Sequence, residues 1–308
     1  MTSVMNFKEM RETRLEDLAT IHPLITKAAD LFEELRKFDD TKWAFRGQGK
    51  DWQLTATIER CARRPGIAED YLMREFRRRV HHYSTGAPDR DDDLEWLALM
   101  QHHGAPTRLL DWTRSAQIAA FFAAESSNSA ASFVRETSRS LPSFTIWAVD
   151  RSALNAEAKE MLGLTGDADI SSQEVFRKIF WSCPKDDMQL VMAVEPYKIN
   201  ERLTIQRGLF LLGNDLRFSF ENCLVNLLLH ARRQNRPSNE WLHKIEVAAG
   251  ARADVLRTLD NVNINSATLF PGLDGFCESL QVAVQIQELD FWPGIAQTED
   301  REKWVKGI

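Results

Sequence analysis

No run in this chain approaches the roughly 20 consecutive apolar residues that a helical membrane span needs, so no membrane partner is expected. Cysteine is scarce: Cys61, Cys183, Cys223 and Cys277 stand far apart in 308 residues and form no CxxC pair. No signal-peptide pattern opens the sequence. Reduced thiols, acting mostly as small core hydrophobes, and a cytoplasmic location are therefore expected. Positive charge is in deficit, with a formal net charge of −6. That removes the global electrostatic case for DNA binding and leaves only a local basic strip open. Metal-ligand spacing is missing too. His81-His82 and His102-His103 are adjacent pairs rather than i, i+4 pairs, without Cys or carboxylate at ligand distance, so no metal is expected. The Arg46-Gly47-Gln48-Gly49 run lacks the third glycine and the following helix of a dinucleotide fingerprint. No Ser-His-Asp order and no paired carboxylates with metal spacing mark a hydrolase of known type.

What remains is a globular composition, 44% hydrophobic and 27% charged. No repeat, low-complexity tract or composition shift divides the chain. We expect one α+β domain: a mixed, mostly antiparallel central sheet with flanking helices. It would span 41–290, with helical insertions, a helical N-terminal extension over 1–40 and a polar tail over 291–308.

The densest stretch runs from Leu94 to Glu125. Leu94, Leu97, Ala98 and Met100 have helical spacing and end at Gly104, a C′ glycine with proline two residues on. Thr107 to Leu110 reads as a short strand, and Asp111-Trp112-Thr113 as a turn. Ser115 then caps a helix whose apolar face is Ile118, Ala119, Phe121, Phe122 and Ala123. Asp111 and Thr113 either serve only this turn, or the helix start makes an anion pocket with His102, His103, Arg108 and Asp111. Earlier, Trp43 to Phe45 reads as a strand and residues 46–49 as the turn at its end. Arg46 either pairs with a carboxylate or anchors a phosphate or carboxylate ligand through its planar fork. Arg74, Arg77, Arg78 and Arg79 give a basic helix face, either plain solvated surface or a contact for nucleic acid or an acidic partner. Residues 126–143 read as a loop or hairpin. Arg202 to Leu212 reads as two short strands broken at Arg207-Gly208.

Four ordered segments stand out: Phe45-Arg46-Gly47-Gln48; Gln101-His102-His103-Gly104 through Thr107 to Thr113; Gln206-Arg207-Gly208-Leu209-Phe210; and Ala267 to Pro271 with Leu273-Asp274-Gly275. Together they resemble the FRG domain family of bacteria and phages, named for its Phe-Arg-Gly motif. The resemblance runs from about Trp43 to Leu280. A more distant one is to mono-ADP-ribosyltransferases, which split NAD in the cleft of a mixed sheet. It implies an ADP-ribosyltransferase-like fold with NAD as cofactor. Arg46 resembles their early-strand arginine, and Thr113 and Ser115 ahead of Ala119 to Phe122 resemble their Ser/Thr strand and helix. Where the late glutamate belongs, this chain offers Gln206, a neutral group that cannot offset developing positive charge. Asp111 and Glu195 are the alternative carboxylates.

Under this resemblance Arg46 binds pyrophosphate, Gly47 and Gln48 meet the nicotinamide or ribose, and Thr113 and Ser115 orient the ligand-bearing turn. Trp112 stacks on a ring or fills the core. His103 is a hydrogen-bond or acid–base group. Arg108 assists the anion or pairs with Asp111. The function implied is an NAD-binding cleft, either an ADP-ribosyltransferase or NAD glycohydrolase acting as a toxin or phage-defence effector on a protein or nucleic-acid target, or a catalytically silent sensing module. A nucleic-acid-binding protein is the third possibility.

Overall fold

The computed structural model describes residues 7–39, 41–84, 86–131, 143–164, 172–181, 188–198 and 200–286. Seven strands form one sheet: β1 (Thr20–Ile21), β2 (Trp43–Gln48), β3 (Leu110–Thr113), β4 (Ser143–Asp150), β5 (Val191–Val194), β6 (Gly208–Gly213) and β7 (Leu242–Ala248). Their spatial order is β1-β7-β4-β2-β3-β6-β5. β1 runs parallel to β7, and the other neighbours pair antiparallel. The chain thus adopts the expected α+β class, with helices on both faces of a mixed, mostly antiparallel sheet. Among the described residues no helix is long and apolar enough to cross a membrane.

Strand side chains alternate between two cores, as a period of two requires. Trp43 and Phe45 of β2, with Phe144, Ile146 and Ala148 of β4, enter one core. They meet Ala119, Phe121 and Ala123 of helix Ala116–Ala131 and Val255 and Leu259 of helix Arg252–Asp260. Ala44, Trp147 and Val149 enter the other, against Leu97 and Met100 of helix Asp93–His102 and Leu224 and Leu228 of helix Phe220–Arg233. Residues 1–40 do more than extend the chain. β1 adds an edge strand beyond β7, Leu31 and Leu35 join the first core, and Met10, Leu15 and Leu18 join the second.

Several local expectations change. β2 does not turn at Arg46: Arg46, Gly47 and Gln48 continue the ladder opposite Trp147, Ile146 and Thr145 of β4. Asp111, Trp112 and Thr113 are not a turn but the body of β3, paired with Phe210, Leu209 and Gly208. The segment before β6 is not a strand. Asn200 accepts a hydrogen bond from the Leu203 N–H at 2.8 Å and caps helix Glu201–Ile205, which ends where Arg207 takes φ 48°. Helix Ala116–Ala131 also continues where a loop was expected. Residues 132–142, Cys183 and the polar tail from 291 lie outside the described residues.

One partly buried carboxyl makes stability pH-dependent. Glu59 accepts from the Phe220 N–H at 3.1 Å, its second oxygen is buried without a partner, and burial pushes its pKa up to about 7. A carboxyl raised in the folded state stabilises below its unfolded pKa of 4.5, and that contribution is lost as pH rises through about 7. Glu59→Gln is expected to reduce the fall in Tm across that window. Thermal melts at a series of pH values check this, and an unchanged profile in the variant would assign the slope to other groups.

Candidate functional site

The sheet opens between β2 and β3. Their ladder holds one registered pair, Phe45 with Thr113. Past it, where Arg46 and Gly47 would face Trp112 and Asp111, the Arg46 side chain takes over: Nη1 donates to the Asp111 carbonyl at 2.5 Å. A cavity of about 300 Å³ occupies this opening and is lined from both layers. Arg46 and Gly47 come from β2, Asp111, Trp112 and Thr113 from β3, and Gly208 and Phe210 from β6. Ala98, Gln101 and His102 come from one helical layer, Phe122 from the other, and Asn200, Arg202, Leu203, Gln206 and Phe270 close the rim. All four sequence segments therefore meet at one place.

Local structure explains how each part arrives. Helix Asp93–His102 ends in a Schellman motif. The Gly104 N–H bonds to the Gln101 carbonyl and the Ala105 N–H to the Met100 carbonyl, both at 2.9 Å, with Gly104 at φ 82°. This stop leaves Gln101 and His102 at the cavity. Gln101 is held from both ends. Its Nε2 donates to the Asp111 carboxylate at 2.8 Å, and its Oε1 accepts from the Thr107 hydroxyl. The Thr113 hydroxyl donates to the Gln206 carbonyl at 2.7 Å and accepts from the Ser115 N–H at 3.0 Å, locking β3 to the rim. Gln206 Nε2 donates to the Leu269 carbonyl at 3.0 Å and joins the rim to helix Ser266–Leu269.

The electrostatics favour an anion. Arg46 makes no ion pair among the described residues, and its Nε is buried without a hydrogen-bond partner. Burial lowers its pKa, the Asp111 charge opposes that, and an arginine remains cationic regardless. The Arg202 guanidinium lies over the Phe270 ring, 4.5 Å from its centroid. Burial, with the charges of His103 and Arg202, lowers the pKa of His102, so this lining imidazole is neutral near pH 7. The Trp112 Nε1 is a second buried donor without a partner. Asp111 is the one carboxylate among the lining residues.

The FRG domain family model matches residues 41–132. The chain carries an FRG domain. No curated protein and no solved structure matches the chain. The matched span holds the first two of the four segments, while β6 and Phe270 lie beyond it and join the cavity through the fold.

Other candidate residues stand away from the cavity or serve packing. Gln48 is buried and accepts from Trp147 Nε1 at 3.1 Å. Ser115 is the helix cap, its hydroxyl accepting from the Ile118 N–H at 3.3 Å. His103 is exposed beside the cavity, its ring 4.9 Å from that of His102. Arg108 pairs neither with Asp111 nor with the cleft. It is buried against Glu69, with Nε to Oε2 at 2.6 Å and its own N–H to Oε1 at 2.8 Å. Glu195, weighed as a spare carboxylate, faces Arg114 at 3.6 Å and Arg151 at 3.5 Å outside the lining. Gly47 has a packing role: a Cβ there would lie 2.0 Å from the Ala119 carbonyl oxygen. The sequence reading placed His102 in the candidate anion pocket but assigned no site role to Phe122, Asn200, Arg202 or Phe270. The Asn200 cap ahead of Arg202 and Leu203 was the available signal for the rim helix.

Proposed function

We propose that the cleft binds an NAD-type dinucleotide, with a phosphate on Arg46 and a flat ring against Trp112, Phe122, Phe210 and Phe270. The carrying observation is the Arg46 guanidinium: no ion pair, a buried Nε without a partner, and a position on an aromatic-lined cavity. A guanidinium in that state is ready to give charge-assisted hydrogen bonds to phosphate oxygens. The volume of about 300 Å³ is at the small end for ligand sites, which suits one nucleoside phosphate half, the other crossing the rim past Arg202.

Turnover on this reading is cleavage of the bond between ribose and nicotinamide. Nicotinamide leaves with the electron pair, water adds a hydroxyl to the ribose carbon, and a proton is released. Asp111, oriented by Gln101, is the lining carboxylate that offsets the positive charge developing on the ribose. His102, neutral near pH 7, accepts the proton. Such a protein acts as an NAD-consuming effector of the toxin or defence kind. Gln206 favours a second reading, binding without turnover, because its amide is committed to the Leu269 carbonyl and carries no charge.

Chromatography of NAD incubated with the protein separates the two. Nicotinamide release that falls about 10²- to 10³-fold in Asp111→Asn, with NAD binding retained, supports cleavage. Binding without release supports the sensing reading. Absence of both removes NAD as the ligand.

A further inference from the structure

A second surface shares no lining residue with the cleft and gathers arginine in a chain of net charge −6. Its spine is helix Pro65–Arg79, whose 15 residues span about 22 Å at 1.5 Å each. Two open depressions flank this helix and meet at Asp70 and Trp181, which line both. Arg63, Arg64 and Arg217 line one; Arg74, Arg78, Arg90 and Arg177 line the other.

These arginines fall into two groups. Arg78 is paired with Glu75 at 3.1 Å, Arg177 with Asp91 at 3.2 Å and Arg217 with Asp215 at 2.8 Å. Arg63, Arg64, Arg74 and Arg90 are exposed and make no ion pair among the described residues. Arg74 only rests over the Tyr71 ring at 5.7 Å. Arg63 and Arg64 lie at the start of the spine, Arg74 lies ten residues beyond Arg64 or about 15 Å along it, and Arg90 lines the second depression from off the helix, so the free cations are spread over the surface rather than focused on a point. A single phosphate cannot bridge that span. A nucleic-acid strand carries a phosphate on every nucleotide and offers several along it.

We propose that this face binds a nucleic-acid strand through its phosphates, without reading bases. The spacing of the free cations selects a linear, regularly charged polymer. Asp70 opposes binding, since it lies exposed where the depressions meet and makes no ion pair among the described residues. The proposal is independent of the NAD reading.

The test is fluorescence anisotropy of a labelled oligothymidylate and an oligouridylate of the same length, titrated with the full chain over a range of salt. Binding should weaken steeply with salt. Removing Arg63 and Arg64 together, or Arg74 and Arg90 together, should lower affinity severalfold. Each pair should also reduce the slope of log K on log salt by about 1.4, near 0.7 per lost phosphate contact. Asp70→Asn should tighten binding, a gain that misfolding cannot mimic. No binding at low salt, affinities indifferent to all three variants, or equal capture of polyglutamate would overturn the proposal.

Discussion

Arg108→Ala is expected to cost about 3–5 kcal/mol of stability, read as a large fall in the urea midpoint, because it strands a buried carboxylate. Glu69 is fully buried, and its two oxygens take the Arg108 backbone N–H at 2.8 Å and the guanidinium at 2.6 Å. Nη1 of the same side chain donates to the Phe180 carbonyl at 3.2 Å, and the Trp181 ring covers it, 4.9 Å from centroid to guanidinium carbon. One side chain thus joins helix Pro65–Arg79, the residue before Leu109 and β3, and helix Gln173–Phe180. Replacing both partners with apolar residues, Arg108→Met with Glu69→Leu, should recover most of the loss, since neither charge is then left uncompensated. A loss under about 1 kcal/mol in the single variant, the range of an exposed pair, would mean that the pair is hydrated.

Gly47→Ala is expected to lower stability by about 1–3 kcal/mol or more, the range for overpacking. The added carbon would sit 2.0 Å from the Ala119 carbonyl oxygen and 2.6 Å from the Ala123 nitrogen. Both are backbone atoms of helix Ala116–Ala131, so no rotamer change relieves the clash. The strand or the helix must shift, and the cavity that both line shifts with them. Arg46→Ala, by contrast, removes one hydrogen bond at the cleft and should leave Tm within a few degrees of wild type. Neighbouring residues of the Phe-Arg-Gly motif are thus expected to be separable: the arginine lines the cavity and the glycine serves the contact between strand and helix. Equal Tm losses in the two variants would contradict this division.

Local signals carried much of the fold. The spacing ahead of Gly104, the proline beyond it and the serine ahead of Ala116 gave both helix boundaries, because capping is decided within a few residues. The four segments that meet at the cleft stood together through their resemblance to the FRG domain family. Other features depended on distant partners. The sequence around Arg46 looks like a turn because of its glycines. It is strand because β4 pairs with it and because Gly47 is where the helix crosses. Arg108 and Asp111 are close in sequence, yet Arg108 is claimed by Glu69, 39 residues earlier. β1 is too short to show any period, and its place follows from β7 alone. Phe122 reads as part of an apolar helix face, and only the opening between β2 and β3 makes it, with Phe270, a wall of the cavity.

Calorimetric titration of NAD into the wild-type protein and into Arg46→Ala tests the central assignment most directly. Saturable heat in the wild type and none in a folded Arg46→Ala variant is the expected result. Heat that is unchanged by the substitution, or absent from both proteins, would contradict the placing of a dinucleotide phosphate on Arg46.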